Sequence, residues 1–206
     1  MELLTLLSLL LVAAVVSVKA QQRTRIHFLA SFLGKYRVES LMADLMQGYL
    51  RALGEPDEQR QAAVFGLLDA KAHALCVQLN AFVLEFAAVD ESLARVSRLP
   101  VAVPFAAQWK QTTFDLRKLL GVHAHGITEA ANSSAEDTKR KAFFMMAELM
   151  LFQHSCHWFC RSKLVASARL LAGHKTPYGQ VLACVAPPTR QAYVAVVGLT
   201  VVGVGA

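Results

Sequence analysis

The chain opens with a long apolar run and continues with apolar residues spaced three and four apart. Residues 3–18 carry no charge, and only one threonine and two serines interrupt the apolar side chains. As a helix this run would be about 24 Å long, slightly short of a bilayer core about 30 Å thick. Lys19 can extend its ammonium group to the headgroups and supply part of the difference. The pattern therefore predicts an N-terminal transmembrane helix within residues 1–20.

A cleaved secretory signal is the competing interpretation, because Val18-Lys19-Ala20 is an acceptable cleavage site of small residues. A bacterial secretory signal starts with Lys or Arg, however, whereas Glu2 is the only charge before the apolar run. The nearby basic residues all follow the run, and positive flanks stay on the cytoplasmic side; they are Lys19, Arg23, Arg25, Lys35 and Arg37. We therefore expect a membrane protein with most of the chain cytoplasmic, and its four cysteines as free thiols.

The rest of the chain has the spacing of helices, and strand signals are scarce. Residues 38–53 are predicted as one helix that ends before Gly54 and Pro56, and residues 57–89 as a longer helix with a single apolar stripe. Two prolines predict an extended connection at residues 99–104. The fold class is therefore predicted to be all-α, a membrane-anchored helical bundle.

The second half continues in the same way. A helix is predicted at residues 112–120, and His123-Ala124-His125-Gly126 should end or kink it. Ser133 with Glu136, and Ser134 with Asp137, resemble a capping box, which opens a helical pattern without Gly or Pro up to residue 172. A helix of that length should be kinked, and Gly173 should close it. Two short helices should follow Pro177 and Pro188.

Four regions follow from these patterns. Residues 1–20 form the membrane anchor or an uncleaved signal, 21–37 a basic juxtamembrane segment, 38–190 the helical bundle domain, and 191–206 an apolar tail. The tail is uncharged and rich in valine and glycine. It suits either a short C-terminal membrane segment or an edge packed into the core, and both interpretations stay open.

Composition agrees with a membrane location and argues against nucleic acid as a partner. Apolar residues make up 55% of the chain and charged residues 17%, with a net charge of +6. The basic residues flank the two apolar ends, which favours attraction to anionic lipid. A nucleic-acid interface would instead need Lys and Arg along one face together with side chains that read bases.

The densest group of reactive side chains lies at residues 153–160. Cys156, His157 and Cys160 share one face of a helix, where ligands for a soft metal could converge. On the helix at 57–89, His73 and Cys76 lie in a polar stripe with Asp69 and Asn80. If the two stripes faced each other, His73, Cys76, Cys156, His157 and Cys160 could hold a metal or a haem. The alternative is core packing, because free cysteine behaves as a small apolar residue and core histidine commonly bonds a neighbour.

Three further residues are weaker candidates for chemistry. His123 and His125 would point in different directions on a helix, although an extended turn could bring them to one ligand. Glu148 lies in an apolar block, where a carboxylate needs a partner such as Arg or His, or acts as a base with a raised pKa.

The motifs of common enzyme classes are missing from the sequence. It has no Walker-type phosphate loop, dinucleotide fingerprint, nucleophile elbow or metalloprotease helix motif. The leading hypothesis is therefore a non-catalytic interaction or scaffold protein at the cytoplasmic membrane face. It would use membrane lipid and a protein partner, and no cofactor. The alternative is the metal- or haem-binding bundle, for sensing or electron transfer, and an enzyme with Glu148 or a histidine as its base ranks last.

Overall fold

The computed structural model describes residues 2–133 and 138–198. Helix makes up 82% of the described residues, which confirms the prediction of a mostly helical bundle. The described residues form nine α-helices: α1 Glu2–Leu33, α2 Val38–Leu53, α3 Glu58–Ala87, α4 Glu91–Ala94, α5 Leu116–Asn132, α6 Thr138–Cys160, α7 Lys163–His174, α8 Tyr178–Cys184 and α9 Pro187–Val197.

The first helix runs through the predicted boundary between anchor and juxtamembrane segment without a break. Its large aliphatic residues up to Val16 are exposed, whereas Leu29 and Leu33 are buried in the core. Within the described residues, α1 and α3 are the two helices long and apolar enough to cross a membrane, by length and composition alone. The two halves of α1 therefore have different surroundings, one outside the bundle and one packed against it.

The two helices predicted at residues 38–53 and 57–89 are present, as α2 and α3, with nearly the predicted bounds. Asp57 caps α3, because its carboxylate accepts a hydrogen bond from the Arg60 N–H at 2.8 Å. The side-chain amide of Gln61 donates to the Ala52 carbonyl at 2.9 Å, which satisfies one of the last carbonyls of α2. The core stripe of α3 is the predicted one and includes Phe65, Leu68, Ala72, Leu75, Leu79, Phe82 and Phe86.

A short antiparallel ribbon, which the sequence pattern did not indicate, joins the two halves of the bundle. The strands are β1 Arg95–Ser97 and β2 Thr113–Asp115, with Val96 opposite Phe114. Phe114 packs edge-on against Trp158 of α6, with ring centroids 5.0 Å apart. The helix predicted at 112–120 was therefore wrong at its start, since α5 begins only at Leu116, after Asp115 caps it through the Arg117 N–H.

Two predicted helix ends lie elsewhere. His123 to Gly126 lie inside α5 and do not end it, and Gly126 packs closely against Thr189 and Glu148. The long predicted helix breaks at Ser162, whose backbone is extended and whose hydroxyl accepts from the Val165 N–H. A serine can cap a new helix in this way although the apolar spacing continues past it. Lys175, in the left-handed conformation, ends α7 instead of Gly173.

The C-terminal region belongs to the bundle as far as the structure describes it. Helix α8 follows Pro177 as predicted, α9 begins at Pro187, one residue before the predicted Pro188, and Tyr193 and Val197 of α9 are buried. Residues 199–206 of the predicted tail, and most of the predicted capping box at residues 133–137, lie outside the described residues.

Candidate functional site

A cleft of about 430 Å³ lies between α1, α2 and α6, and we call it the α1–α2–α6 cleft. Its volume is within the range of small-molecule sites, which are usually apolar with a few polar groups. Its lining is mostly aliphatic side chains and methionines: Ile26, Leu29, Ala30, Leu33, Met42, Ala43, Met46, Leu149, Met150 and Phe152. The polar residues on its wall are Glu39, Gln153, Cys156, His157, Cys160 and His174.

Three of the five predicted metal ligands therefore line one cleft. Burial raises the pKa of Cys156 far above its ordinary value and that of Cys160 to about 11. Burial, followed by the nearby Arg169, lowers the pKa of His157. Without a bound metal the two thiols are consequently protonated at neutral pH, and a thiol in that state is a poor nucleophile.

The other two predicted ligands lie away from this cleft. His73 is exposed, and its Nδ1 lies 2.8 Å from the Asp69 carbonyl oxygen one turn earlier. Cys76 is buried and directs its thiol toward the Ile127 carbonyl of α5, with Sγ and O 3.9 Å apart. Helix α5 packs against both α3 and α6, and the residues of the α3 polar stripe that contact α5 are Cys76 and Asn80, whose amide donates to the Thr128 hydroxyl at 3.3 Å.

The two stripes do not assemble a ligand set. Across residues 2–133 and 138–198, no three His, Cys, Asp or Glu side chains are grouped so that they could hold a metal ion. The metal or haem hypothesis stays a prediction, with Cys156, His157 and Cys160 as the part of its ligand set that shares one surface.

A buried polar cluster between α5, α6 and α9 holds residues for which the sequence suggested chemistry. His123 is fully buried, and its Nε2 lies 2.9 Å from the Ser155 hydroxyl. Burial, followed by the electrostatic effect of the neighbouring His154, lowers the pKa of His123 to about 3, so the ring is neutral. His125, the other histidine of the predicted pair, is exposed, so the two do not share a ligand.

His154, on α6, is the second buried histidine and does not line the cleft. Its Nε2 lies 3.1 Å from the Ser167 hydroxyl, and its ring stacks on Tyr178 with centroids 4.4 Å apart. Burial is the main cause that lowers its pKa to about 3, and Lys163 adds to the effect. Both buried histidines therefore serve as uncharged packing groups with one hydroxyl neighbour each.

Glu148 is also fully buried, but its partners differ from the predicted Arg or His. Its Oε1 accepts from the Ala186 N–H at the start of α9, with the two atoms 3.3 Å apart, and the Thr189 hydroxyl also bonds it. The absence of a side chain at Gly126 makes room for this carboxyl group. Burial raises the pKa of Glu148 to about 7. Since Glu148 does not line the α1–α2–α6 cleft, the pocket gives it no access to a substrate.

An exposed apolar surface lies on the side of α3 opposite its core stripe. Leu67, Val77 and Leu84 are exposed by 71%, 67% and 78%. Exposed alanines continue the stripe at steps of three and four: Ala63, Ala70, Ala74, Ala81 and Ala88. We call these eight residues the outer face of α3. The sequence indicates this face, because apolar residues also occur two positions after each residue of the core stripe and so repeat its spacing of three and four.

Comparisons with family models, with curated proteins and with solved structures find no match for this chain.

Proposed function

We propose that this chain is a non-catalytic interaction protein, tethered to the cytoplasmic membrane face by α1, which associates with a second copy of itself through the outer face of α3. The observation that carries the proposal is that α3 is apolar on two opposite faces, of which the bundle covers one. Contiguous apolar surface of this kind marks interaction sites, whereas single exposed apolar residues are ordinary.

Membrane tethering is supported by the exposed half of α1. Its large aliphatic residues, from Leu3 to Val16, are 46% to 71% exposed, and no charge interrupts them. Such a stretch is stable only in an apolar phase, because each exposed side chain costs about 1.5–3 kcal/mol relative to burial. The basic residues that follow favour the cytoplasmic orientation, although Arg25 among them turns inward and donates to the Phe159 and Arg95 carbonyls.

Helix α3 is also long and apolar enough to span a membrane, but its ion pairs favour a position outside the bilayer. Asp69 pairs with Lys141 at 3.0 Å, and Lys71 pairs with Asp44 at 2.6 Å. Near the end of α3, Glu85 pairs with Lys35. Charged side chains inside a bilayer are costly. The outer face of α3 is therefore better covered by a protein helix than by lipid.

A second copy of the chain fits this face. The outer face has the heptad spacing of a coiled-coil seam, and its large residues are separated by alanines, which let two helices approach closely. Two copies tethered to one membrane by α1 are aligned in the same direction, so each position meets itself in a parallel pair. The residues that flank the seam bring no like charges together in this arrangement; they are Lys71, His73, Gln78, Asn80 and Glu85. Tethering also raises the effective concentration of one copy near the other.

The test is the oligomeric state of the full chain in mild detergent and in nanodiscs, measured by light scattering on a sizing column. We expect a dimer, and we expect Leu67→Gln with Leu84→Gln to give a monomer. The matched control is Leu50→Gln with Leu171→Gln, which changes two leucines that are also at least half exposed but lie outside α3.

Cross-linking checks the arrangement independently. Val77→Cys in a Cys184→Ser background should form an intermolecular disulfide under mild oxidation, because Val77 meets Val77 of the second copy in a parallel pair. Cys184 is replaced because it is the exposed native cysteine. A monomeric wild-type chain that does not cross-link through Val77→Cys would overturn the proposal. A chain that is monomeric alone and binds a different protein through α3 would also overturn self-association.

The α1–α2–α6 cleft favours a second function, the binding of an apolar ligand. The observation is its volume of about 430 Å³ with a mainly aliphatic and methionine lining, directly beside α1. Mass spectrometry of an organic extract from the purified full chain would show a stoichiometric apolar compound. Ala43→Trp should abolish it by filling the cleft, whereas Ala74→Trp, on α3, should not. An extract without any stoichiometric compound would refute this second function.

The metal or haem prediction has a simple test of its own. Elemental analysis and an optical spectrum of the full chain should show a metal or haem band that is lost in the Cys156→Ala, His157→Ala variant. A colourless, metal-free protein would refute it.

A further inference from the structure

The connection between the two strands of the ribbon exposes apolar and aromatic side chains to an unusual degree. We call residues 99–109 the proline loop, since Pro100 and Pro104 keep it out of regular helix. Val101, Phe105 and Trp109 of this loop are 50%, 53% and 53% exposed. A loop exposed to water on all sides would rarely present three such residues within nine positions.

The proline loop lies beside α1 where the apolar run of that helix ends. The Phe105 N–H donates to Oε1 of Gln21, with the two atoms 3.3 Å apart. Val18, the last residue of the apolar run, lines a small cavity together with Val101 and Val103 of the loop. Because residues before Val18 are those expected in the bilayer, this contact sets the loop at the depth of the membrane surface.

Charge in this region suits an anionic surface. No Asp or Glu occurs between Glu91 and Asp115, a stretch that includes the whole loop. Lys110 is exposed at its end, and Lys19 and Arg23 are exposed on the adjoining part of α1. Basic residues at this depth attract anionic headgroups, and tryptophan is enriched at the same level.

The backbone at Phe105 supports a role for its side chain. Phe105 has a φ of 58°, in the left-handed region that glycine normally occupies. A large side chain is unfavourable there, and the exposed ring gains little from contacts inside the bundle. A phenyl group at this position is therefore explained by a contact outside the bundle.

We propose that the proline loop is a membrane-docking loop, which inserts Val101, Phe105 and Trp109 into the headgroup region of an anionic bilayer beside α1. This inference rests on the proposed tethering by α1. The loop supplies a second contact with the membrane and so fixes the rotation of the bundle about the axis of α1.

The two tryptophans make the proposal testable by fluorescence. Trp109 is exposed, whereas Trp158 is 2% exposed and donates to the Ser97 carbonyl. The full chain carrying Trp158→Phe reports on Trp109 alone, and the chain carrying Trp109→Phe reports on Trp158 alone. Both are reconstituted into vesicles of phosphatidylcholine and phosphatidylglycerol, with and without bromine on the acyl chains near the headgroup.

We expect brominated lipid to quench Trp109 at least twofold and to leave Trp158 nearly unchanged. Two reference variants in the Trp109→Phe, Trp158→Phe background fix the scale. Leu9→Trp should be quenched if α1 is inserted, and Leu67→Trp on α3 should not be quenched. An unquenched Trp109 beside a quenched Leu9→Trp would overturn the docking loop and leave the tether intact. An unquenched Leu9→Trp would overturn the tether.

A second readout avoids the replacement of the buried Trp158. A nitroxide on Val101→Cys, in a Cys184→Ser background, should be more accessible to molecular oxygen than to a water-soluble nickel complex. The same label on Leu50→Cys, which is 61% exposed in the wild type, should show the opposite preference. Equal, water-like behaviour of the two labels would overturn the proposal.

Discussion

The buried acid of α6 gives the sharpest prediction about stability. Glu148 is fully buried, with the Ala186 N–H and the Thr189 hydroxyl as its hydrogen-bonding neighbours. Glu148→Gln keeps the size and shape of the side chain and removes its ionisation. The difference in free energy of unfolding between the two proteins, followed against pH, therefore isolates the cost of ionising this group.

The magnitude follows from the pKa. Burial raises the pKa of Glu148 from 4.5 to about 7 in the folded chain, and a rise of that size corresponds to about 3 kcal/mol. The folded protein holds the proton to higher pH than the unfolded chain does. The stabilisation is thus fully present below pH 4.5 and is lost as the pH rises to about 7. Relative to wild type, Glu148→Gln should gain about 3 kcal/mol between pH 4 and pH 8.

Urea unfolding of the detergent-solubilised full chain, followed by circular dichroism from pH 4 to pH 8, measures this difference. The pKa values of His123 and His154, both lowered to about 3, have the opposite effect, since the unfolded chain takes up their protons below pH 6.5. Their contribution is the same in both proteins and cancels in the difference. A difference that stays constant within about 1 kcal/mol would show that Glu148 ionises as easily in the fold as in water.

Three further predictions concern packing, thiol exposure and the attachment of α1. Gly126→Ala should lower the free energy of unfolding by about 1–3 kcal/mol, because the new Cβ would lie 2.5 Å from the Thr189 hydroxyl oxygen. Gly121→Ala, where the space around a Cβ is open, should raise it by up to about 1 kcal/mol in the same urea titration. A thiol reagent should label exposed Cys184 first, and Cys184→Ser should remove that fast phase. Arg25→Met should lower stability by about 2–3 kcal/mol through two lost carbonyl contacts, while Arg23→Met, at an exposed position, should be neutral in thermal unfolding.

The helices could be predicted from sequence because apolar spacing determines which side of a helix is buried. The bounds of α2 and most of α3 follow from this spacing together with Gly54, Pro56 and the cap at Asp57. The break at Ser162 could not be predicted from the sequence, because a serine caps a helix only where the backbone turns. The apolar spacing continues on both sides of Ser162. The strand at residues 113–115 depends on pairing with a distant segment, which no local pattern reveals.

The candidate sites were less predictable because they depend on how the helices rotate against each other. Spacing along one helix was enough to predict that Cys156, His157 and Cys160 share a surface. Whether that surface meets Cys76 depends on α5, which packs against both helices and receives the Cys76 thiol itself. The sequence contains the outer face of α3 as a second heptad pattern. That this face is exposed is known only from the structure, in which the core stripe is the side of α3 that packs against the bundle.

The unbroken course of α1 has a consequence for how the whole protein sits on a membrane. With the tethering proposed above, one rigid rod of 32 residues extends from the bilayer into the bundle without a hinge. The apolar run is about 24 Å long, shorter than a bilayer core of about 30 Å, so a bilayer adapts by thinning around the run and not by tilting it. Because the rod has no hinge, the bundle keeps the orientation of α1. The outer face of α3 would thereby point in a fixed direction relative to the membrane.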